Sequence, residues 1–573
     1  MNDLFENKSA PSAIALVALH AGYSHSSLAL QSIASFAADT AFGPRIRLFE
    51  SLVNCNPRHL LEQLVELAPV VVGFSTYLWN IQASLHLAGL LDQLLPETLI
   101  VLGGPEAGPR GEELLQDHPE IDFVIDGEGE KAFHDLLQRH LAGQGDLTGI
   151  SGLVYRQGSG FLRNPVQPLP VECIPSPLGQ GRADFNKPLI YWETSRGCPF
   201  RCSFCGSAEE RLRAFPLERV EADLAVLEGL QNKVIKLLDR SFHLGKARTL
   251  KMLERFAATP EGLRFHLELN PDRISPEAMA IFRRAVPGKF QFEIGLQTLS
   301  EPVLQTIERQ MQIPKALENI RELVGMARHP VHLDLIVGLP GEAAAQCRDS
   351  LNRVFALHAE HLQLGTLKLL PGTPLRRQAK ALGYRWDRQP PYEVLSHPSL
   401  SFREIARFKA YAELLERLWN SGYLVSTLRW LVSMHYAERV TDCFDGLLTV
   451  AGESLVRDNL QPDRLFEEVC RFLLPLLAED EVLRELLLWD YSCFSLVTGK
   501  TPQWISTRLQ QSVAVPVAGS RRRLPVLELS ERTSGLINQR RLQPLPAGRY
   551  AVWPRQHKKG TPVEIIPVDA PES

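Results

Sequence analysis

Twice along its length this chain alternates short apolar runs with stretches of helical period, and no other feature limits its fold so severely. In the first 145 residues the runs are "AIALVAL", "RIRLF", "VVVGF", "LIVLGG" and "DFVIDG", separated by segments such as "PRHLLEQLVELA" and "IQASLHLAGLLDQLL". A strand that is apolar throughout is buried on both faces, so it belongs in a parallel sheet with helices above and below. Five such units predict an α/β, doubly wound, Rossmann-like sheet over residues 1–145, with its ligand at the carboxyl ends of the strands. From Leu189 the alternation resumes with "LIYWET", "VIKLLD", "FHLELN", "FQFEIGLQ", "VHLDLIVG" and "LQLGTLKLL". Six units predict an incomplete (β/α)6 barrel over 189–385, with its chemistry at the C-terminal ends of the strands.

Residues 146–188 read as a hairpin turning at Gly158-Ser159-Gly160, followed by a linker rich in proline and glycine. After Tyr384 the apolar spacing is helical, giving a mostly helical C-terminal region over 386–573. It ends in a basic, proline-rich tail read as short strands or extended segments. From Thr501 onward 11 Lys or Arg face 5 Asp or Glu, a net +6 within a chain whose formal charge is −4. This tail is either a solvated surface or a place for an anionic substrate or partner. The overall charge gives no basic footprint and argues against nucleic acid. No apolar run approaches the roughly 18 residues a membrane span needs. "MNDLFENKSAPSA" has no basic stretch before an apolar one, so a cytoplasmic protein with reduced thiols is expected.

Three of the nine cysteines fall in "SRGCPFRCSFC", spaced Cys198-x3-Cys202-x2-Cys205, while the other six are scattered. The run follows "WET" and so occupies the first strand-to-helix loop of the expected barrel. A structural zinc site wants a fourth Cys or His at paired spacing, and no second C-x2-C or H-x3-H follows. Three thiolates suit a 4Fe-4S cluster that keeps one iron without a protein ligand.

This spacing in the first loop of a six-unit barrel resembles the radical S-adenosylmethionine superfamily. The resemblance implies that the open iron chelates the amino and carboxylate groups of S-adenosylmethionine. An electron from an external donor of flavodoxin or ferredoxin type then releases methionine and a 5′-deoxyadenosyl radical. It places Phe204 by the adenine. Asp239 and Arg240 of "LLDRSF" become candidates for the methionyl end. Glu268 and Asn270 of "LELNPD" could face the ribose or methionyl groups. Gln297 of "EIGLQT" is a ribose candidate, and Gly338 of "LDLIVGLPGE" would admit adenine against backbone. For each polar residue a hydrogen bond internal to the barrel is the competing role.

The preceding domain resembles the cobalamin-binding module of a large radical S-adenosylmethionine subclass. "HAGYSHSSLAL", "GFSTYLWN", "LGGPEAG" and "DGEGE" carry the likeness, each in a loop after a strand. It implies that Gly103, Gly104 and Gly127 admit the corrin and its tail, and that Ser75 and Thr76 offer hydroxyls to the buried nucleotide. The signature D-x-H-x-x-G is absent; His20 and His25 lie near its place without its context. Binding without a histidine on cobalt follows, with Tyr77, Trp79 and Asn80 as candidates to cover the lower face. Trp79 has ordinary loop packing as its alternative, and His25 reads as a cap or packing residue for the next helix.

The whole set, with "LQLGTLKLLPGTPL" and a helical C-terminal region, resembles a bacterial cobalamin-binding radical family whose last domain has no assigned function, distantly related to the anaerobic protoporphyrin ring cyclase. The resemblance implies methylation of an unactivated carbon of a small molecule. Radical oxidation, cyclisation or rearrangement is the alternative within enzymes, and a cluster- or cobalamin-based sensor the alternative outside them. RNA methylthiolation is disfavoured, because such enzymes carry a second cysteine triad where this chain has only Cys55.

Overall fold

The computed structural model describes residues 13–141, 145–242, 245–452, 454–457, 460–495, 500–517, 520–538, 545–554 and 563–568. The first twelve residues, the "RQHKKG" stretch and the "DAPES" end lie outside them. The chain divides into two compact units. One is Met1–Glu268 with Ile307–Arg309 and Lys368–Val394; the other is Leu269–Thr306, Gln310–Leu367 and Leu395–Ser573.

In the first unit, β1 (Ile14–His20), β2 (Ile46–Leu52), β3 (Val71–Ser75), β4 (Leu99–Gly103) and β5 (Phe123–Ile125) form a parallel sheet in the order β2-β1-β3-β4-β5. Alternate residues of β1 feed opposite cores. Ile14, Leu16 and Ala18 pack with Leu30, Ala34 and Phe133; Ala15, Val17 and Leu19 pack with Leu60, Leu64 and Leu87. This two-sided burial is why the strand reads as an unbroken apolar run. The hairpin β6 (Leu153–Gln157) and β7 (Gly160–Arg163) turns where expected. It is part of this sheet: β6 pairs antiparallel with β5. Helix Leu28–Phe36 is capped by Ser27, whose side chain accepts from Leu30 N.

Six more strands alternate with helices. β8 (Leu189–Trp192) leads to the short pair β9 (Ser195–Arg196) and β10 (Arg213–Ala214), and then to β11 (Lys233–Leu237) and β12 (Leu263–Glu268). β8, β11 and β12 run parallel in the first unit. β13 (Phe290–Gln297), β14 (Val331–Val337) and β15 (His361–Thr366) run parallel in the second. The α/β class, the N-terminal parallel sheet, the strand–helix series and the helical C-terminal region are those expected.

The C-terminal helices are Phe402–Leu414, Val425–His435, Val440–Ala451, Pro462–Leu477 and Glu481–Phe494. The first opens with a capping box between Ser401 and Glu404 and runs into a π-helical turn, Leu415–Asn420. From that turn the buried Asn420 carboxamide accepts from Leu362 N and donates to Leu362 O, both at 3.0 Å, as a neighbouring strand would. The proline-rich end forms a four-stranded antiparallel sheet from Ser512–Val517, Ser520–Leu529, Gly548–Trp553 and Glu564–Pro567. Among the described residues no helix is long and apolar enough to cross a membrane.

Candidate active site

The cysteine loop is built on a buried carboxylate. Asp239, at the end of β11, accepts from Thr194 N at 2.9 Å, from Thr194 Oγ1 at 2.6 Å and from Ser195 Oγ. Burial nevertheless pushes it up to about 6. Asp239 was a candidate for the methionyl end of a ligand; both its oxygens instead hold the strand entering the cysteine loop. β9 then pairs with β10, which draws the two ends of the loop together. Gly197 sits there at φ +79°, and a Cβ on it would lie 2.3 Å from Arg211 O, so no other residue fits.

Beyond Gly197 the backbone bonds Cys198 N to Glu210 O and Cys205 N to Cys202 O. Ser203 is gripped from both sides, donating to Ile307 O and accepting from Leu375 N, each at 2.9 Å. Cys202 is buried, and Cys198 and Cys205 are half-buried. Burial pushes the Cys198 and Cys205 thiols up, and the guanidinium groups of Arg309 and Arg240 respectively oppose it. Arg309 also donates to Cys202 Sγ at 3.5 Å. Among the described residues no three His, Cys, Asp or Glu side chains converge as ligands of a single ion. The three thiols are still close enough to act on one another electrostatically. That looser triangle suits a multi-iron cluster, whose metal corners stand apart. Phe204, between the last two cysteines, is half-buried.

The loop after β5 fastens this site to the N-terminal sheet. Arg196, next to Gly197, pairs with Glu130 at 2.5 Å, Glu193 at 2.7 Å and Glu128 at 3.3 Å. Glu128 also pairs with Arg213, and Glu130 accepts from Ser32 Oγ. The Arg196 charge holds Glu130 below the usual carboxylate range against its burial. For Glu193 burial wins and the carboxyl is pushed up. The sequence reading quoted both "DGEGE" and "SRGC" yet took only glycines and cysteines from them. Gly127 itself stands at φ +93°, with Val166 2.9 Å from where its Cβ would be.

In the loop after β3, Asn80 is buried and wholly committed. It accepts from Tyr77 N at 2.7 Å and donates to Leu19 O and Ser75 O. Thr76 Oγ1 donates to Gly103 O at 2.8 Å and accepts from Ala107 N. A Cβ on Gly104, at φ +107°, would strike Thr76 O at 2.5 Å. Asn80, Thr76 and Gly104, expected to touch cobalamin, are therefore the frame of this loop. Tyr77 and Trp79 stack with centroids 4.4 Å apart, and Trp79 is 45% exposed. The Ser75 side chain lies near the Tyr77 phenol. A Cβ on Gly103 would meet nothing nearer than Ile125 O at 3.9 Å, so the end of β4 presents bare backbone. An exposed aromatic stack beside bare strand ends is a surface that fits a large planar cofactor.

His25 was expected at a helix start. Ser27 is the cap, and His25 Nδ1 instead bonds the phenol of Tyr191 on β8, the two rings 11° from coplanar. Burial pushes Tyr191 up to about 12 and His25 down, which favours a neutral phenol beside a neutral imidazole. Register places Tyr191, Lys236 and His266 abreast on β8, β11 and β12. This polar row was not legible, because each residue stands alone among apolar neighbours in sequence. Arg240 is exposed and acts electrostatically on both Cys205 and Tyr77. Glu268 ends β12, its carbonyl accepting from Phe242 N.

In the second unit Asn270 is half-buried and precedes the turn Pro271–Arg273. Gln297 ends β13 at a bulge, with φ +69°, and its buried Oε1 has no hydrogen-bond partner among the described residues. Gly338 follows β14 at φ +98°. Beside Gln297, Thr298 Oγ1 donates to Glu342, which sequence reasoning missed and which lies near the Cys347 thiol. Burial pushes Glu342 up to about 7. A carboxyl raised on folding stabilises fully below its unfolded value near 4.5 and loses that contribution as pH rises through 7. Glu342→Gln is therefore expected to flatten the stability–pH profile between pH 4.5 and 7. The effect is about 3 kcal/mol at most, read by denaturant unfolding across that range.

Three family models match: B12 binding domain over residues 14–137, Radical SAM superfamily over 192–354, and Protein of unknown function (DUF4080) over 380–517. The 2-(S-pantetheinyl)-carbapenam-3-carboxylate methyltransferase of Streptantibioticus cattleyicolor is 29% identical over 57% of this chain and 52% of its own. The cobalamin-dependent radical SAM methyltransferase TokK of Streptomyces tokunonensis is 28% identical over 60% of this chain and 54% of its own. The chain thus spans about half the length of these curated relatives. An anaerobic magnesium-protoporphyrin IX monomethyl ester cyclase is a homologue too. The methyltransferase TsrM of Kitasatospora setae shares the fold, with a TM-score of 0.55 at 17% identity, over 66% of this chain and 79% of its own.

Proposed function

We propose that this chain, a B12-binding and radical SAM protein homologous to cobalamin-dependent radical SAM methyltransferases, methylates an unactivated carbon of a small molecule. The observation that carries the reading is Arg240. This exposed guanidinium is within electrostatic reach of both Cys205 of the cysteine loop and Tyr77 of the loop after β3, and a space shared by two cofactors would account for that. When bound, a 4Fe-4S cluster, S-adenosylmethionine and cobalamin supply a 5′-deoxyadenosyl radical and a methyl group there.

The residues divide the work of holding that space. Cys198, Cys202 and Cys205 are the cluster ligands, and the donation from Arg309 to Cys202 stabilises added negative charge on the sulfur side. Tyr77 and Trp79 offer a flat, apolar face to the corrin, with Gly103 leaving room beside it. In the second unit the buried Gln297 oxygen has no donor among the described residues, and a ribose hydroxyl would meet that need. An external electron donor of flavodoxin or ferredoxin type, in the cytoplasm, provides the reductant.

The test is turnover by the anaerobically reconstituted full chain with reductant and S-adenosylmethionine labelled in its methyl group. Methylation predicts 5′-deoxyadenosine, S-adenosylhomocysteine in about equal amount, and label in the product. 5′-Deoxyadenosine without label transfer would instead mark oxidation, cyclisation or rearrangement. Absence of both from protein holding its cluster would overturn the proposal.

A further inference from the structure

The C-terminal part of the second unit encloses a cavity of about 830 Å³. It lies at the amino-terminal end of β15. His358 and Glu360, which line it, immediately precede β15, whereas radical chemistry belongs to the carboxyl ends of such strands. A strand of six residues separates the two ends by roughly 20 Å. The π-helical turn Leu415–Asn420 forms part of the wall through Trp419 and Asn420. Such turns form at a cost to helix geometry and recur at functional sites.

The lining is aromatic: Trp419, Tyr423, Trp430, Trp489 and Phe494. Its carboxylates already have protein donors. Glu360 accepts from Val331 N at 2.9 Å, Glu416 from Asn420 Nδ2 at 3.0 Å, and Asp490 from Thr427 N at 2.7 Å. Two neutral donors are not matched in this way. Among the described residues neither the Tyr423 phenol nor the Trp489 indole N–H has a hydrogen-bond partner, and burial alone raises Tyr423. Arg429 brings a guanidinium, with five N–H donors, to the same wall. A volume of this size, apolar with a few convergent donors, has the make-up of a small-molecule site.

We infer that this cavity is a second ligand site, taking a small molecule with a flat apolar ring body and a carboxylate at one end. The ring lies among the tryptophans, and the carboxylate accepts from Arg429, Tyr423 and Trp489. A ligand here bears on Asn420, whose carboxamide holds β15, so occupancy reaches the barrel without entering its mouth. The inference does not depend on which reaction the radical site performs.

Isothermal titration calorimetry on the full, cofactor-loaded chain tests it with three probes: indole-3-acetate, uncharged 3-methylindole and cationic tryptamine. Indole-3-acetate is expected to bind one site, at least tenfold tighter than either other probe, and S-adenosylmethionine is expected not to displace it. Arg429→Gln should weaken indole-3-acetate at least tenfold while leaving 3-methylindole unchanged. Trp489→Phe and Tyr423→Phe, which keep the rings, should each weaken it severalfold. Equal or tighter binding of tryptamine, displacement by S-adenosylmethionine, or no binding of indole-3-acetate at millimolar concentration would each overturn the assignment. If thermal unfolding shows that Arg429→Gln does not fold, unchanged affinity in both ring-conserving variants overturns it equally.

Discussion

Alanine at any one of Cys198, Cys202 or Cys205 is expected to leave the full chain folded but unable to form 5′-deoxyadenosine. The rate should fall by at least about 10³-fold, and the double and triple variants should be no worse than the singles, because groups that act as one unit do not lose activity additively. The loop explains why the fold survives. Its shape is set by Asp239 under Thr194 and Ser195, by the β9–β10 pair, and by the backbone bonds from Ser203 to Ile307 and Leu375. None of these uses a thiol. The measurement is the iron content and reduced-state paramagnetic resonance of reconstituted protein, beside product formation. A single variant that kept both would show that the cysteines are not the cluster ligands.

Arg196→Met should be the most destabilising change near the site, costing about 3–5 kcal/mol in denaturant unfolding. The side chain is of similar length, so the loss is one of charge. Glu130 is 5% exposed and Glu193 is half-buried, and both face the same guanidinium. Without it Glu130 loses the group that holds its carboxyl low, leaving an unpaired charge in a desolvated place. Adding Glu130→Gln and Glu193→Gln to Arg196→Met should recover much of the loss, since neutral groups are cheaper to bury than orphaned charges. If the single variant cost less than about 1 kcal/mol, the network would be an ornament of the surface.

What could be read in sequence was what repeats or clusters locally. The strand–helix alternation has a short period, and the cysteines stand within eight residues, so the architecture and the grouping of the thiols on one loop were legible. The partners that decide a side chain's task come from far along the chain. Asp239 answers Thr194 and Ser195, Arg309 answers Cys202, and His25 answers Tyr191. No local pattern announces such pairs. Thr76, Asn80 and Gly104 have ligand chemistry in sequence, but in the structure their hydrogen bonds and close packing shape the loop after β3. The "GISGLVYRQGSGFLRNP" hairpin is a hairpin as expected, but it also joins the N-terminal sheet through β5, because alternation in sequence does not say which sheet edge a strand will meet.

The Asn420 clamp on Leu362 has a consequence for anyone dissecting this molecule. β15 pairs with β14 on one side, and on the other its backbone is met by a carboxamide from a helical turn. A truncation ending before that turn would bare a row of amide groups ready to recruit whatever strand comes near. Such a fragment should be recovered as insoluble or self-associated material, even with its cysteine loop intact.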